Sequence, residues 1–382
     1  MRVVFLRANA IDPDPRVEKE AKSLLKNGHS CTFVGWDRAE SHAPEITFRS
    51  VGDYKVRTVL IGVKSSFGQG ARNAPNIASF QLQLYGWLKE NKDEYDVIHA
   101  CDLDTGLAAS QASLRTGKPL VYDIFDFYAD SRIMPDWLRT IIRRFENSVI
   151  KQSCATIICT EQRKVQIEGS RYRNLLVVEN TPEEIDPAVE DRANQRGENE
   201  ILLAYVGILT ADRYLDRLLD AVDCHENLVL DIGGFGPLSE LIESRARNNR
   251  RIRYKGRMAY RDALACEKKA DVMFGMYDPT IANHKLAAPN KYYESLMLGT
   301  PLVTVRGTSV ADWVEEEMTG EALGPDFTPE DLYQAVLRLV DANKNGVLSD
   351  LERELYETKH SWSVMENRLV SLYDSIGLEL KG

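Results

Sequence analysis

The 382-residue sequence lacks several features that would mark out a particular class of protein. No apolar run approaches the ~18 residues that a membrane-spanning helix needs. The first residues do not resemble a secretory signal peptide, because Arg2 and a short apolar stretch are followed by charged sequence. The six cysteines include no Cys-x-x-Cys pair, so we predict neither a zinc site nor a disulfide framework. These absences favour a cytoplasmic protein.

Basic residues are fewer than acidic residues in this sequence. The chain has 48 Lys and Arg against 58 Asp and Glu, which gives a formal net charge of −10. A dedicated nucleic-acid-binding protein carries a broad basic face, so we expect no nucleic-acid partner. The six histidines show no metal-ligand spacing, and the Ser/His/Asp order of a hydrolase is not evident.

What the first half of the sequence does contain is an alternation of short apolar strands with helices. The predicted strands are 2–6, 31–36, 95–99, 119–122, 155–159 and 175–178. The predicted helices are 15–28, 103–115 and 135–151, the first of them capped by Asp14. This alternation is typical of a parallel sheet covered by helices on both faces.

The alternation stops in the charged, proline-containing segment 179–200, which we interpret as a linker, and then resumes. Further strands are predicted at 201–206, 228–232, 252–254, 272–274 and 302–305, with helices at 213–222, 237–247, 330–341, 347–358 and 362–376. We therefore predict an α/β protein with two Rossmann-like parallel-sheet domains, 1–180 and 181–360, that face a central cleft. A final segment, 361–382, follows them.

The stretch 289–301, with the sequence PNKYYESLMLGTP, is the strongest candidate for a ligand-binding element. Pro289 suits the first turn of a helix and Gly299 its end, so the helix aims its N-terminus at the carboxyl end of the sheet. Lys291 can bind a phosphate there, and Glu294 can accept hydrogen bonds from two ribose hydroxyls. A nucleoside diphosphate suits this pair, although an ordinary surface ion pair would use the same residues.

Two glycine-containing turns lie at strand ends in the second half. Gly234 and Gly236 would let a backbone come close to a phosphate or a sugar, but a tight turn alone would need the same residues. Gly207 opens the turn after the first strand of this half. Arg213, at the start of the next helix, is either a second positive charge near a diphosphate or a solvent-exposed arginine.

Carboxylates in the first half have competing explanations. Asp102 and Asp104 form the Asp-x-Asp pattern that can hold a nucleotide-bound metal, but Asp104 lies where a helix begins and we favour an N-cap. Asp14 likewise fits a helix cap. Asp123 and Asp126 follow a strand among aromatic residues, which suits the binding of sugar hydroxyls as well as the capping of the next helix.

Together these motifs resemble a known family, the group 1 (family 4) retaining glycosyltransferases of the GT-B fold. The matching patterns are Gly234-x-Gly236-Pro237 and Asn290-Lys291-x-x-Glu294-x-x-x-x-Gly299-x-Pro301. The stretches 7–20, 122–128 and 179–182 resemble the branch that builds bacterial and archaeal surface polysaccharides. The resemblance covers nearly the full length of the chain.

The resemblance implies that the second half binds a nucleotide sugar and the first half a glycan or lipid-linked acceptor, with no metal or other cofactor. It also implies a last helix that crosses back onto the first domain. The residues that we expect to carry catalysis are Arg213, Lys291 and Asp126. Those expected to bind the donor are Gly207, Gly234, Gly236, Asn290, Lys291 and Glu294. Those expected on the acceptor side are Asp14, Arg16, Asp123 and Asp126.

Three positions depart from the family pattern. Leu286 stands where the family has its first glutamate, Ile208 where an arginine is usual, and Phe125 where relatives often have a histidine. The donor-sugar contacts and the compensation of leaving-group charge are the properties that these changes affect. His284 and Lys285 are nearby candidates to compensate.

Two other functions fit the same patterns. A nucleotide-sugar epimerase would need acid and base residues at the sugar, and the sequence does not reveal them. A non-catalytic sugar-nucleotide-binding partner of another transferase is favoured by Leu286 and Ile208.

The segment 134–151 combines apolar residues at helical spacing with a local excess of arginine. The apolar residues are Trp137, Leu138, Ile141, Ile142, Phe145 and Val149, and the basic ones are Arg132, Arg139, Arg143, Arg144 and Lys151. Such a helix either faces the core with its arginines in water, which we favour, or makes peripheral contact with an anionic membrane at its cytoplasmic face.

Overall fold

The computed structural model describes residues 1–65, 73–132, 134–185 and 199–380, and most of the predicted linker therefore lies outside the described residues. The chain divides into two units. Unit 1 comprises Met1–Glu179 and Met365–Gly382, and unit 2 comprises Asn180–Val364. Each unit has its own cluster of buried apolar side chains.

Unit 1 is built on an eight-stranded sheet with the order β3-β4-β2-β1-β5-β6-β7-β8. Its strands are β1 (Arg2–Leu6), β2 (Ser30–Asp37), β3 (Glu45–Val51), β4 (Tyr54–Gly62), β5 (Val97–Cys101), β6 (Leu120–Ile124), β7 (Ala155–Ile158) and β8 (Leu175–Val177). Its helices are α1 (Pro15–Lys26), α2 (Ala74–Glu90), α3 (Leu103–Thr116) and α4 (Asp136–Gln152), with a 3-10 segment at Glu161–Ile167.

Local sequence signals explain much of unit 1, but not its edge. Helix α1 begins as predicted, because the Asp14 carboxylate accepts a hydrogen bond from the Val17 amide. The antiparallel pair β3 and β4 and the helix α2 were not predicted. Strand β3 exposes Ile46 and Phe48 to solvent, so its apolar residues do not follow the pattern of a strand buried on both faces.

Unit 2 is built on a six-stranded parallel sheet with the order β11-β10-β9-β12-β13-β14. Its strands are β9 (Ile201–Ile208), β10 (Leu228–Phe235), β11 (Ile252–Tyr254), β12 (Val272–Phe274), β13 (Leu302–Val305) and β14 (Gly320–Leu323). Its helices are α5 (Leu215–Cys224), α6 (Ser239–Asn248), α7 (Tyr260–Lys268), α8 (Ala282–Lys285), α9 (Asn290–Leu298), α10 (Ser309–Glu317), α11 (Pro329–Ala342) and α12 (Val347–Leu355).

The last helix, α13 (Trp362–Glu379), begins in unit 2 and packs on unit 1. Glu366 accepts hydrogen bonds from Ser23 and Lys26 on α1, both at 3.0 Å. Tyr373 hydrogen-bonds to His99 on β5 at 2.7 Å. The predicted return of the C-terminal helix to the first domain is confirmed. Within the described part of the chain, no helix is both long enough and apolar enough to cross a membrane.

Candidate functional site

A cavity of about 520 Å³ opens within unit 2 at the carboxyl ends of β9, β10 and β12. Parallel strands bring their carboxyl ends to the same edge of a sheet, and loops and helix N-termini then surround that edge. The residues that line the cavity include Tyr205, Gly207, Ile208, Arg213, Gly234, Phe235, Arg257, Met258, Tyr260, Gly275, Tyr277, Asn290, Lys291 and Glu294.

The backbone at the ends of β9 and β10 leaves no room for a side chain at two glycine positions. A Cβ atom on Gly234, whose φ is 135°, would lie 1.8 Å from the Gly207 carbonyl oxygen. A Cβ atom on Gly236 would lie 2.5 Å from the Leu209 carbonyl oxygen. Gly207 and Gly234 line the cavity, whereas Gly236 shapes the turn behind it. The glycine pattern is therefore explained first by backbone packing.

Helix α9 presents its first turn to the cavity. It begins at Asn290 and ends at Gly299, whose φ of 65° is the left-handed conformation that glycine favours. Pro289 is the residue before the helix, one position earlier than predicted. Asn290, Lys291 and Glu294 all line the cavity, so the three polar residues of this helix that we predicted from the sequence lie together.

Lys291 lies between two buried carboxylates. Its Nζ atom is 2.6 Å from Glu294 Oε2 and 2.8 Å from Glu267 Oε1. Burial opposes the charge of the ammonium group, but the two carboxylates outweigh this effect and raise the pKa of Lys291 above its ordinary value. Lys291 therefore stays positively charged although only 16% of its side chain is exposed.

Arg213 is another cation of the cavity, whose lining also includes Arg257. It ends a 3-10 turn, Ala211–Arg213, and its Nη1 atom is 2.9 Å from Asp212 Oδ2 and 3.2 Å from His284 Nε2. Its guanidinium carbon lies 4.2 Å from the centre of the Tyr277 ring. These contacts hold Arg213 at the cavity wall. They also show that His284, predicted to compensate for missing charge, touches one of the predicted cations.

Tyr260 and Glu267 are two of the lining or adjacent residues that the sequence analysis missed. Glu267, in the last turn of α7, is completely buried beside Lys291, and burial raises its pKa to about 7. Tyr260 lies at the start of the same helix, where burial and the Glu294 carboxylate raise its pKa. The one signal for Glu267 is its spacing from Ala263 and Leu264, which places it on the buried face of α7.

Most of the residues predicted on the acceptor side already bind other side chains of unit 1. Arg16 donates two hydrogen bonds to Asp123, at 2.9 and 3.1 Å, and one to the Val178 carbonyl oxygen at 2.8 Å. Arg16 is 4% exposed and Asp123 is 0% exposed. Both side chains are buried and bind each other, so their assignment to the acceptor side stays a prediction, and this geometry favours a structural role. Asp14 is buried as well, and it accepts hydrogen bonds from Arg7 and Asn9.

Asp126 remains exposed, although Arg163 binds its carboxylate at 2.9 Å. The helix cap predicted at Asp104 is wrong. Helix α3 follows Asp102, whose carboxylate makes no capping bond and instead accepts hydrogen bonds from Arg7 and the Phe125 amide. Asp104 lies inside the first turn and pairs with Arg132 at 3.0 Å.

One buried group of potential metal ligands exists among the described residues. Ligand atoms of His99, Cys101 and Asp123 lie within 4.8 Å of one another. The Arg16 guanidinium already binds both Asp123 oxygens, and a positive charge in that position opposes a cation. We interpret the group as part of a structural ion-pair network.

Family models match the two units separately. Residues 16–169 match the model of Glycosyltransferase Family 4, and residues 200–342 match that of Glycosyl transferases group 1. No curated protein sequence matches the chain.

Solved structures share the fold over nearly the whole chain. Sucrose-phosphate synthase from Thermosynechococcus elongatus aligns with a TM-score of 0.74 and 14% identity, covering 99% of this chain and 100% of that one. The lipopolysaccharide outer core galactosyltransferase WaaB aligns with a TM-score of 0.68 and 13% identity, covering 97% and 99%. Anabaena HepE in complex with UDP aligns with a TM-score of 0.68 and 14% identity, covering 98% and 100%. At these identities the likeness shows the GT-B fold alone.

Proposed function

This chain belongs to the glycosyltransferases of group 1 and family 4, and from that premise we propose that it transfers a sugar from a nucleoside-diphosphate sugar to a glycan or lipid-linked acceptor with retention of anomeric configuration. The observation that carries this proposal is the presence of Lys291, Arg213 and Glu294 on the wall of one cavity. Two cations and a carboxylate in that arrangement match the diphosphate and the ribose of a donor.

The donor binds with its diphosphate against Lys291 and Arg213. The first turn of α9 adds backbone N–H groups that favour an anion. Glu294 accepts hydrogen bonds from the ribose hydroxyls. HepE, which has the same fold, was solved with UDP and with UDP-glucose, and this supports a nucleotide sugar as the donor class.

Catalysis then depends on charge stabilisation. Negative charge grows on the diphosphate as its bond to the sugar breaks, and two fixed cations stabilise that charge more than they stabilise the intact donor. The departing phosphate oxygen takes the proton of the acceptor hydroxyl, so no separate general base is needed. Exclusion of water around the donor limits its hydrolysis.

The two departures in unit 2 mark where this enzyme differs from its relatives. Ile208 lines the cavity and is 52% exposed, so it offers an apolar surface where an arginine is usual. Arg213, held by Asp212 and His284, then carries more of the charge compensation. Leu286 removes a carboxylate from the donor-sugar side, and we expect the choice of sugar to reflect that loss.

The experiment that tests this function has two stages. Thermal-shift screening against uridine, guanosine, adenosine and thymidine diphosphates first identifies the base, since a nucleotide at a hundred times its dissociation constant adds about 2.7 kcal/mol of stability. Nucleotide release is then measured with the matching sugar donor, with and without candidate acceptors. Release that depends on an acceptor supports transfer.

The rival functions give different results in the same assay. An epimerase converts the donor without releasing nucleotide, and a binding partner holds the nucleotide without turnover. Either result would remove the transferase proposal. We expect transfer to survive EDTA; its loss on chelation would return Asp102 and Asp104 to consideration as metal ligands.

We further propose that helix α4 brings the enzyme into contact with a membrane. Trp137, Ile141 and Phe145 are 67%, 38% and 49% exposed and recur at every fourth position, which forms an apolar stripe on the outer face. Val149, the next residue of this row, and Ile150 are buried. The single apolar face expected from the sequence is thus divided into a core-facing part and a solvent-facing part. An exposed apolar stripe with neighbouring arginines suits contact with an anionic membrane that carries a lipid-linked acceptor for polysaccharide synthesis.

A further inference from the structure

Glu267 is a buried carboxylate whose principal partner is a residue of the proposed donor site. Its side chain is completely buried, and Oε1 is 2.8 Å from Lys291 Nζ. The Val206 amide also favours its charged form. Glu267 does not line the cavity, so it acts on a ligand only through Lys291.

The charges around Lys291 do not balance. Glu267 and Glu294 both lie within 3 Å of one ammonium group, so the set has two carboxylates for one cation. A diphosphate that binds Lys291 adds further negative charge in the same place. In a buried site this repulsion is weakly screened, and binding is easier if one carboxylate becomes neutral.

Of the two carboxylates, Glu267 is better suited to become neutral by taking up a proton. Glu294 faces the cavity, where ribose hydroxyls would hydrogen-bond to its charged form, whereas Glu267 is enclosed. Burial, opposed by Lys291 and reinforced by Glu294, already raises the pKa of Glu267 to about 7. The titratable and charged groups that interact with Glu267 from the surrounding elements are Lys291, Glu294, Tyr260, Cys266 and Tyr277.

We propose that Glu267 is a positioning residue for Lys291, which it holds before the donor binds and releases to the diphosphate by taking up one proton from solvent. Lys291 keeps all its protons, and the added proton resides on the Glu267 carboxylate. This inference rests on the proposed function, because it needs a diphosphate at Lys291.

The test measures protons taken up when a donor binds. UDP-glucose, GDP-mannose, ADP-glucose and dTDP-glucose are screened, and the one that stabilises the protein most is titrated calorimetrically at about pH 8 in two buffers of different ionisation enthalpy. Both phosphates of such a donor are esterified, so the ligand itself does not titrate near this pH. The wild type should take up part of one proton for each donor bound.

The Glu267→Gln variant should bind the donor without that uptake. In the wild type the dissociation constant should rise up to about tenfold per pH unit above pH 7, and in the variant it should stay nearly constant over the same range. Glu267→Asp keeps a titratable carboxyl and should keep part of the proton uptake. Glu352→Gln is the matched control, because Glu352 is also a fully buried acid of unit 2 whose pKa burial raises, but the carboxylates that bind Lys291 are Glu267 and Glu294.

The outcomes separate this inference from the function on which it rests. If none of the four donors binds and none of the four nucleoside diphosphates stabilises the protein, both fail. If a donor binds and the proton uptake is the same in the wild type and in Glu267→Gln, the inference alone is overturned. In a Lys291→Gln background the Glu267→Gln change should have no further effect on proton uptake, and a remaining effect would show that Glu267 does not act through Lys291.

Discussion

Both units bury a cation between carboxylates near the carboxyl ends of their strands, but the cation of unit 1 is enclosed whereas that of unit 2 lines a cavity. In unit 1, Arg16 and Asp123 are at most 4% exposed and bind each other. In unit 2, Lys291 is held by Glu267 and Glu294 but lines a cavity of about 520 Å³. The same residue types therefore serve two purposes. The group of unit 1 joins distant parts of its own unit, and the group of unit 2 is the one that we propose exchanges a carboxylate partner for a ligand.

The difference follows from how each cation is bound. The Arg16 guanidinium donates two hydrogen bonds to Asp123 and one to the Val178 carbonyl oxygen, and the bidentate contact with Asp123 favours a fixed pair. Lys291 has three N–H donors and two carboxylate partners, so one donor direction can turn towards a ligand. A lysine between carboxylates is thus more easily recruited than an arginine in a bidentate pair.

Removing Arg16 should give the largest effect on stability. Arg16→Ala leaves Asp123 buried without its main counter-ion, and breaking one side of a buried pair costs about 3–5 kcal/mol of unfolding free energy. The effect is measured by chemical denaturation, while nucleotide binding by the folded protein should not change. Arg57→Ala is the control, because it breaks an exposed pair with Glu94 that should contribute at most about 1 kcal/mol. Equal losses in the two variants would remove the distinction between the units.

Arg16 and Asp123 also show where sequence analysis stops. Each was predicted correctly to lie near a helix start or a strand end, because those signals are local. Their pairing joins residues 107 positions apart. The periodicity of a sequence does not indicate which distant side chain will pair with a buried charge. The same carboxylate at a strand end therefore suggested a sugar site from the sequence and belongs to a closed ion pair in the structure.

Unit 2 shows the opposite result for α9 and a similar limit for α7. Gly299 and the short polar first turn set the bounds of α9, so Lys291 and Glu294 could be placed together from adjacent residues. Glu267 comes from another helix and meets Lys291 only in the folded chain. A buried glutamate interrupts the apolar face of a helix, and such interruptions of the hydrophobic pattern often occur at functional sites.

Removing Lys291 or Arg213 from the cavity should affect turnover more than binding of the bare nucleoside. Lys291→Ala and Arg213→Ala each remove charge that acts on the departing diphosphate, and loss of one such group typically lowers kcat about 10²–10³-fold. Binding of the nucleoside without phosphates is measured in parallel. Arg261→Ala is the control, because this exposed arginine on α7 does not line the cavity. If nucleoside binding falls as much as turnover, the two cations support the unit as Arg16 does.

Removing Glu294 should weaken nucleotide binding by a smaller amount. Hydrogen bonds to a charged group contribute about 1.5–3 kcal/mol, and Glu294→Ala removes those to the ribose. Because Glu294 also binds Lys291, the variant is compared with ribonucleotide and 2′-deoxyribonucleotide. The wild type should prefer the ribonucleotide and Glu294→Ala should not. An unchanged preference in a folded variant would contradict the ribose assignment.

The last prediction concerns helix α4 of unit 1. If this helix contacts a membrane, the charges of unit 1 that serve function are exposed arginines and not the buried Arg16 pair. Basic residues near a membrane contribute about 1 kcal/mol each, so Arg139→Glu/Arg143→Glu/Arg144→Glu should abolish co-sedimentation with anionic vesicles while neutral vesicles bind weakly in every case. Each Arg→Glu change replaces a positive charge by a negative one, so the variant reverses the charge at all three positions. Two of these arginines already pair with Asp136 and Asp130, so in the wild type they attract an anionic surface less than exposed arginines without a carboxylate partner would. Trp137→Ser/Phe145→Ser tests the apolar stripe separately, and Leu241→Ser, an exposed leucine of unit 2, is its control. If the wild type and the triple variant sediment alike, α4 is not a docking surface, and a soluble acceptor becomes the expectation for unit 1.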